Sequence, residues 1–228
     1  MNYGLLVSFV LMSILSLFFE LFLGIKGHKE KKEDYDVMSY FPYELYGDSR
    51  GNYFLFSRIA EAFRLLCFVA VPLFLLIKLV GYGGMTGSYS VGIMLMSVFF
   101  AISSLLLTII PLKDSKQHLA YYFISSACGS LTIVMEGLLL LSLRKSGNET
   151  ISYIFSIACF VIAVSIIALW FNPKLKNWAK MDSISEPDGT VSFRRPHPFV
   201  LAFSEWLTIF ISLGGSIIAA IGFLLLLS

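Results

Sequence analysis

Six stretches of this chain are each long and apolar enough to cross a lipid bilayer, and they take up most of its 228 residues. A membrane-spanning helix needs about 20 predominantly apolar residues to cross a hydrocarbon core of about 30 Å. Because lipid offers no hydrogen-bonding partners, the backbone of each stretch must bond to itself, as a helix does. The stretches, numbered spans 1 to 6, cover residues 4–25, 57–80, 90–112, 119–143, 151–171 and 199–227. The sequence therefore predicts an all-α, polytopic integral membrane protein: one domain, residues 1–228, formed by a bundle of six transmembrane helices.

The composition agrees with this fold and narrows the range of partners. Hydrophobic residues make up 57% of the chain and charged residues 14%, which is too apolar for a water-soluble domain. The net charge of +2 gives no reason to expect a nucleic-acid partner. We expect the lipid bilayer and other membrane protein subunits as partners. The three cysteines lie inside spans without metal or disulfide spacing, and we interpret them as packing residues: Cys67, Cys128 and Cys159.

The distribution of Lys and Arg predicts the orientation. The loops after spans 1, 3 and 5 share one face of the bundle, and basic residues collect in cytoplasmic loops. That face carries Lys26, Lys29, Lys31, Lys32, Arg50, Arg58, Lys113, Lys116, Lys174, Lys176, Lys180, Arg194 and Arg195. The opposite face carries Lys78, Arg144 and Lys145. We therefore expect loops 26–56, 113–118 and 172–198 to be cytoplasmic and both termini to be non-cytoplasmic. A possible N-glycosylation sequon at Asn148 falls on the predicted outer face.

Two of the predicted cytoplasmic loops are long. Loop 26–56 is rich in aromatic residues, which favour the headgroup region of a membrane: Tyr40, Phe41, Tyr43, Tyr46, Tyr53, Phe54 and Phe56. It is either an interfacial belt or a lid that folds under the bundle, over a site between the helices. In loop 172–198, residues 174–181 have the pattern of a short amphipathic helix, Glu186-Pro187-Asp188-Gly189 indicates a turn, and Val191-Ser192-Phe193 indicates a brief strand.

Ionisable residues inside the spans are the candidate functional residues, because they are costly in lipid. Glu20, Glu61, Arg64 and Glu205 lie at one depth, about 6–11 Å from the predicted cytoplasmic interface at 1.5 Å per residue. Arg64 is the cation among them, and we expect it to bridge Glu20 and Glu205. Alternatively, Glu61 and Arg64, three residues apart, pair with each other near the headgroups. The group is either a structural cluster or the lining of a substrate or proton site.

Glu136 and a series of small residues mark the predicted centre of the bundle. Glu136 lies deep in span 4, away from basic residues, and the neighbouring Gly137 permits close approach of another helix. Small residues recur at helical spacing in spans 4 and 6: Ser125, Gly129 and Gly137, and Thr208, Ser212, Ser216 and Ala220. Such residues let membrane helices pack closely, so we expect spans 4 and 6 at the centre. Pro72 predicts a kink in span 2, and Pro111 the end of span 3.

Three segments resemble one known family. They are Phe41-Pro42-Tyr43 in the first long loop, His118 with Ala120 at the start of span 4, and Ser204-Glu205-Trp206 in span 6. With six spans of this size, the chain resembles the damage-regulated autophagy modulator family, small six-helix proteins linked to lysosomal and lipid biology. Two features depart from that family's pattern. Its Ile-Ser-Asp-Thr-Gly continuation is replaced here by Glu44-Leu45-Tyr46-Gly47-Asp48, and its first loop faces the lumen.

The sequence predicts a non-enzymatic membrane protein. No HExxH, GxSxG, phosphate-binding or dinucleotide-binding motif occurs, the three histidines lie in loops or at a helix edge, and we expect no catalytic residue, metal or cofactor. We interpret His118 as a cap at the junction of loop and span 4. The predicted role is a subunit of a membrane complex or a modulator of lipid or membrane processes. The alternative is a small transporter or channel with a charged cytoplasmic-side site formed by spans 1, 2 and 6.

Overall fold

In the computed structural model, most of the described residues form six long helices. The structure describes residues 3–31, 35–46, 51–79, 84–110, 115–177, 182–185, 191–194 and 196–227. The helices are α1 (Tyr3–Glu30), α2 (Asn52–Leu79), α3 (Gly84–Ile109), α4 (Ser115–Ser142), α5 (Glu149–Trp170) and α6 (Val200–Leu227). Each is long and apolar enough to cross a membrane, and the all-α, six-helix architecture is as predicted.

Helices α1 to α5 each extend beyond the predicted apolar stretch at one end or both, whereas α3 ends at Ile109, short of the predicted residue 112. The helix α1 has 28 residues, so it is about 42 Å long at about 1.5 Å per residue. This exceeds a hydrocarbon core of about 30 Å, and its last turn carries His28 and Lys29. Helix α2 likewise begins at Asn52 rather than at residue 57, and it continues through Pro72. Polar residues at helix ends continue the helix where the hydrophobic pattern has already stopped.

Helices that follow each other in the chain run antiparallel, whereas α4 and α6 run parallel. Ser152 Oγ donates to Leu140 O near one end of α4 and α5, and Ser130 Oγ donates to Ala163 O nearer the other. Between α4 and α6, His118 pairs with Glu205 and Glu136 with Ser216. The C-terminal ends of α1, α3 and α5 and the N-terminal ends of α2, α4 and α6 therefore lie at the same end of the bundle. We call this end the loop face.

Helices α4 and α6 form the centre, as the small residues predicted. In α4 and in α6, 56% of the most apolar 18-residue stretch is buried inside the bundle. The corresponding share in the other four helices is 22–44%. A Cβ added at Gly129 of α4 would lie 2.7 Å from Ser212 Oγ of α6, and one at Gly215 of α6 would lie 2.6 Å from the Ile133 side chain. Gly137 instead permits close approach of α5, where Phe160 lies 2.9 Å from such a Cβ.

The outer surface of the bundle is apolar. Large hydrophobic side chains project outward along the helices, and the most exposed on the long helices include Phe18 (67%), Leu66 (68%), Ile77 (67%), Met85 (69%) and Val164 (63%). The charged residues inside the spans are buried instead: Glu20, Glu61, Arg64, Glu136 and Glu205 are each at most 3% exposed. This arrangement places apolar groups outside and charges inside.

In the described parts of the two long loops, the regular elements are short. A 3₁₀ helix at Pro42–Tyr46 lies in the first loop, and another occupies Pro173–Asn177 after α5. Strands β1 (Asp182–Ser185) and β2 (Val191–Arg194) pair antiparallel, with Ser183 opposite Phe193, so the predicted strand is confirmed. The predicted turn at residues 186–189 and the second half of the predicted amphipathic helix lie outside the described residues.

Candidate functional site

The first-loop segment, residues 35–46, folds between the helix ends at the loop face. Phe41, Leu45 and Tyr46 are each 0% exposed, and Pro42 is also buried. These side chains therefore lie in the protein interior, and the interpretation of this segment as an interfacial belt is wrong for them. The segment instead covers the ends of the helices, and the alternative, a lid over a site between the helices, stays a prediction.

Hydrogen bonds from three parts of the chain hold the first-loop segment in place. Trp206 Nε1–H donates to Tyr40 O at 3.1 Å, and the backbone N–H of Phe199 donates to Met38 O at 2.9 Å. His28 at the end of α1 donates its Nε2–H to Glu44 O at 2.9 Å. Because these bonds use backbone carbonyls, they fix the path of the segment independently of its side chains.

Asp36 organises the start of this segment. Its carboxylate accepts hydrogen bonds from the Met38 backbone N–H at 3.0 Å and from Ser39 Oγ at 2.9 Å, and His197 Nδ1 lies 3.1 Å away. The hydrogen bond from Met38 lowers the pKa of Asp36 below its ordinary value, and Ser39 and His197 act in the same direction. The Asp36 side chain is 43% exposed, so water screens these interactions.

A buried ion pair joins α1 and α2 near the loop face. Arg64 Nε donates to Glu20 Oε2 at 2.7 Å, and Nη2 lies 3.5 Å from Glu20 Oε1. Tyr46 O–H donates to the same Oε1 at 3.0 Å, and Ser57 Oγ donates to the Glu20 backbone carbonyl at 2.6 Å. Burial, followed by the charge of Glu20, raises the pKa of Tyr46 well above its ordinary value, so its hydroxyl remains a donor. The predicted Arg64–Glu20 contact is present.

Glu61 lies beside this ion pair without taking part in it. Its side chain is 1% exposed, and among the described residues neither carboxyl oxygen has a hydrogen-bonding partner. The nearby hydroxyls bond elsewhere: Tyr46 to Glu20, and Thr108 to Leu105 O at 2.8 Å. The alternative prediction of a Glu61–Arg64 pair is therefore wrong, since Arg64 directs its guanidinium towards Glu20.

Glu205 belongs to a second cluster, which corrects the prediction that Arg64 bridges it to Glu20. Glu205 Oε1 lies 2.9 Å from His118 Nε2, and both side chains are 0% exposed. His118 Nδ1 lies 2.7 Å from Ile110 O, just beyond the end of α3. His118 thus caps the α3–α4 junction as predicted, whereas its pairing with Glu205 was not predicted from the sequence.

The hydrogen bonds of His118 determine how many protons the pair carries. A backbone carbonyl only accepts, so Nδ1 must carry a proton. The contact between Nε2 and Glu205 then requires a second proton, which is either on the carboxyl group or on the imidazole. The pair therefore holds one labile proton between two groups in a site closed to water. Glu205 Oε2 has no hydrogen-bonding partner among the described residues.

Glu136 forms a third, isolated polar contact deeper in the bundle. It is 0% exposed, and Ser216 Oγ lies 3.4 Å from each of its carboxyl oxygens. Cys159 of α5 is near enough to interact electrostatically with it. Ser216 belongs to the small-residue series that predicted the α4–α6 contact.

The remaining sequence features lie away from these clusters. Asn148 directly precedes α5, at the end of the bundle opposite the loop face, and its Oδ1 accepts a hydrogen bond from the Lys145 backbone N–H at 2.8 Å. A void between α1, α2 and α6 measures about 10 Å³ and is lined by Val10, Ser13, Phe68, Val71, Leu213, Ser216 and Ile217. It has the size of about one water molecule.

Aromatic rings enclose the His118–Glu205 pair, and they bring together the three segments that carry the family resemblance. The Phe41 and Tyr43 rings each lie 5.4 Å from the His118 ring in edge-on orientation. Trp206, next to Glu205, binds the backbone of Tyr40. The sequence signal for this cluster was the predicted contact of α4 with α6, because His118 and Glu205 both lie within the first two turns of those helices.

Comparisons with known proteins do not assign the chain. No protein-family model, no curated protein and no solved structure matches it. The resemblance to the damage-regulated autophagy modulator family stays a prediction.

Proposed function

We propose that this chain is a multi-pass integral membrane protein whose loop face is cytoplasmic. The observation that carries the proposal is the distribution of side chains: large hydrophobic groups cover the outside of six long helices, and the charged groups of those helices are buried. In lipid the outer surface needs no further cover, whereas buried charges need partners within the protein. The concentration of Lys and Arg at the loop face supports the orientation.

The role that the site supports best is non-enzymatic: a subunit of a membrane complex or a modulator of lipid or membrane processes. Among the described residues, several buried polar groups near the loop face bind other groups of the same chain, and some of them hold the first-loop segment over the helix ends. Glu20 binds Arg64 and Tyr46, Glu205 binds His118, and Trp206 binds the segment's backbone. Such a cap presents a folded surface to the cytoplasm, which suits recognition by a partner.

Purification in mild detergent tests this role. The chain, tagged at its C-terminus, is extracted from its native membrane, and copurified proteins and lipids are quantified by mass spectrometry. A protein or lipid species recovered in constant stoichiometry supports the proposal. Retention of that species by Phe18→Ala, an outward-facing variant, and its loss from Tyr43→Ala would map the contact to the loop face. A monodisperse chain recovered without any stoichiometric companion contradicts it.

One observation favours a second candidate, a small transporter. Glu61 is a buried carboxyl group without a partner, directly beside the Glu20–Arg64 pair. A substrate cation or a proton is the kind of group that would satisfy it. Binding of cations to detergent-solubilised wild type and Glu61→Gln, measured calorimetrically, tests this candidate, and equal heats from the two proteins count against it.

A further inference from the structure

A row of buried polar side chains follows the contact between α4 and α6. Helix α4 contributes four side chains to this row, His118, Tyr122, Ser126 and Glu136. Helix α6 contributes Glu205, Thr208, Ser212 and Ser216. Each is at most 8% exposed. From His118 to Glu136, α4 rises about 27 Å at about 1.5 Å per residue, close to the roughly 30 Å of a hydrocarbon core. We call this set the α4–α6 row.

Direct contacts join parts of the row. His118 Nε2 lies 2.9 Å from Glu205, and Ser216 Oγ lies 3.4 Å from Glu136. Ser126 Oγ and Thr208 Oγ1 lie 3.5 Å apart, and each donates its proton to a carbonyl of its own helix, Tyr122 O and Ser204 O respectively. The Tyr122 hydroxyl is within interaction range of Ser126 and Thr208. The row therefore has a titratable group near each end and hydroxyl groups between them.

Three polar atoms of the row have no hydrogen-bonding partner among the described residues: Glu205 Oε2, Tyr122 OH and Ser212 Oγ. All three side chains are 0% exposed. Ser212 points towards α4, because a Cβ at Gly129 would lie 2.7 Å from its Oγ. Buried polar groups of this kind are usually satisfied by ordered water.

The spacing along α6 suits such water. Thr208, Ser212 and Ser216 follow at intervals of one helical turn, which places neighbouring side chains about 5–6 Å apart. One water molecule that binds both neighbours at about 2.8 Å spans this distance.

Both ends of the row are closed in this conformation. At the loop face, Phe41, Tyr43 and Phe199 of the aromatic cluster cover His118, directly or through Phe41. At the other end, a buried apolar cluster lies between Glu136 and the end of the bundle opposite the loop face, and it includes Leu139, Leu140, Leu143, Phe223 and Leu226. Among the described residues, the titratable groups that act on the row from neighbouring elements include Glu44 and Tyr35 of the first-loop segment, near Glu205, and Cys159 of α5, near Glu136.

We propose that the α4–α6 row is a proton pathway that is gated at the loop face by the first-loop segment. A proton from bulk water enters at the His118–Glu205 pair, and each hydroxyl or water then accepts one proton while it donates another. For Ser126 and Thr208 this step follows rotation of the O–H bond away from the carbonyl of the same helix. Glu136 receives the proton and releases it to bulk water on the opposite side when the apolar end opens. Protonation states return to their starting point after each transfer, so no co-reactant is needed. The proposal rests on membrane insertion, which is part of the proposed function, and goes beyond it.

Proton uptake into liposomes tests the pathway. The full chain is reconstituted with an entrapped pH-sensitive dye, and a potassium gradient with valinomycin drives proton entry. We expect uptake several-fold faster than in protein-free liposomes, and faster still in Tyr43→Ala, which removes one ring over His118. Glu136→Gln and Glu205→Gln should reduce uptake to the protein-free rate, and the isosteric Thr208→Val should reduce it several-fold. The control Ser97→Ala removes a buried hydroxyl of α3 that bonds its own helix at Ile93, and it should conduct as wild type does.

The outcomes separate the two proposals. If the protein floats with the liposomes and resists carbonate extraction, but neither wild type nor Tyr43→Ala conducts, the proton pathway is wrong and membrane insertion stands. Uptake that persists unchanged in Glu136→Gln and Thr208→Val also overturns the pathway. If the protein does not float with the liposomes, membrane insertion itself is wrong, and the pathway with it.

Discussion

Removal of the Arg64 guanidinium tests whether the Glu20–Arg64 pair and the His118–Glu205 pair are separate clusters. Arg64 donates to Glu20 at 2.7 Å, with a second, longer contact at 3.5 Å, and the two side chains are 4% and 1% exposed. Breaking a buried pair by removing one partner costs about 3–5 kcal/mol, because the other charge remains buried. We therefore expect Arg64→Met to lower the free energy of unfolding by this amount.

A double-mutant cycle measures the Arg64–Glu20 contact itself. Arg64→Met, Glu20→Gln and the double variant are unfolded by titration with sodium dodecyl sulfate in mixed micelles, followed by circular dichroism. Hydrogen bonds to charged groups contribute about 1.5–3 kcal/mol. The loss of unfolding free energy in the double variant should therefore be smaller, by about that energy, than the sum of the losses in the two single variants.

Glu205→Gln is the matched control, because Glu205 binds His118 rather than Arg64. Its effect should add to that of Arg64→Met within about 0.5 kcal/mol. Coupling of Arg64 to Glu205 that equals or exceeds its coupling to Glu20 would refute the division into two clusters. It would instead restore the single charged layer that was expected from depth alone.

Three further predictions concern packing, orientation and pH. Gly129→Ala should destabilise the protein by about 1–3 kcal/mol, because the added Cβ would lie 2.7 Å from Ser212 Oγ. Gly214→Ala should cause a smaller loss of stability, because the space around Gly214 is open. Equal losses for the two variants in detergent unfolding would contradict the α4–α6 packing. In a cysteine-free background, an impermeant thiol reagent applied to intact cells should label Ser146→Cys and not Ser183→Cys; the reverse pattern would overturn the orientation. Hydrogen bonds lower the Asp36 pKa, so its stabilising contribution is present above the ordinary carboxyl pKa of about 4 and is lost as pH falls through the lower folded-state value. Thermal unfolding from pH 6 to pH 2 should therefore depend less on pH in Asp36→Asn, and identical pH profiles would argue against these bonds.

The sequence was sufficient to predict the fold because lipid permits few solutions. A run of apolar residues long enough to cross a bilayer has to be a helix, and the small residues of α4 and α6 indicated which helices meet closely. The ends of the helices were less predictable. Asn52 and His28 continue their helices without adding to the hydrophobic pattern. The predicted start of span 2 was therefore too late in the chain, and the predicted end of span 1 was too early.

The candidate site was predictable only in part, because residue depth along a helix does not specify which neighbour a side chain faces. Glu20 and Arg64 lie on consecutive helices, and their contact followed from shared depth. Glu205 has the same depth, but α6 presents it to α4 and not to α2, so its partner is His118. The first-loop segment was harder still to predict, since its burial depends on hydrogen bonds to its backbone, such as that from the Trp206 indole N–H to the Tyr40 carbonyl. A backbone acceptor leaves no pattern in the sequence.

Hydrogen–deuterium exchange of the first-loop segment tests the central claim most directly, namely that residues 35–46 are packed between the helix ends. The segment's backbone bonds include Tyr40 N–H to Asp36 O at 2.9 Å and Glu44 N–H to Phe41 O at 3.0 Å, and Phe41 N–H donates to the Glu44 carboxylate at 2.8 Å. In lipid nanodiscs, mass spectrometry of peptides from this segment should show slow exchange, and Tyr46→Ala should accelerate it. Exchange at the rate of an unstructured peptide in wild type would contradict the account.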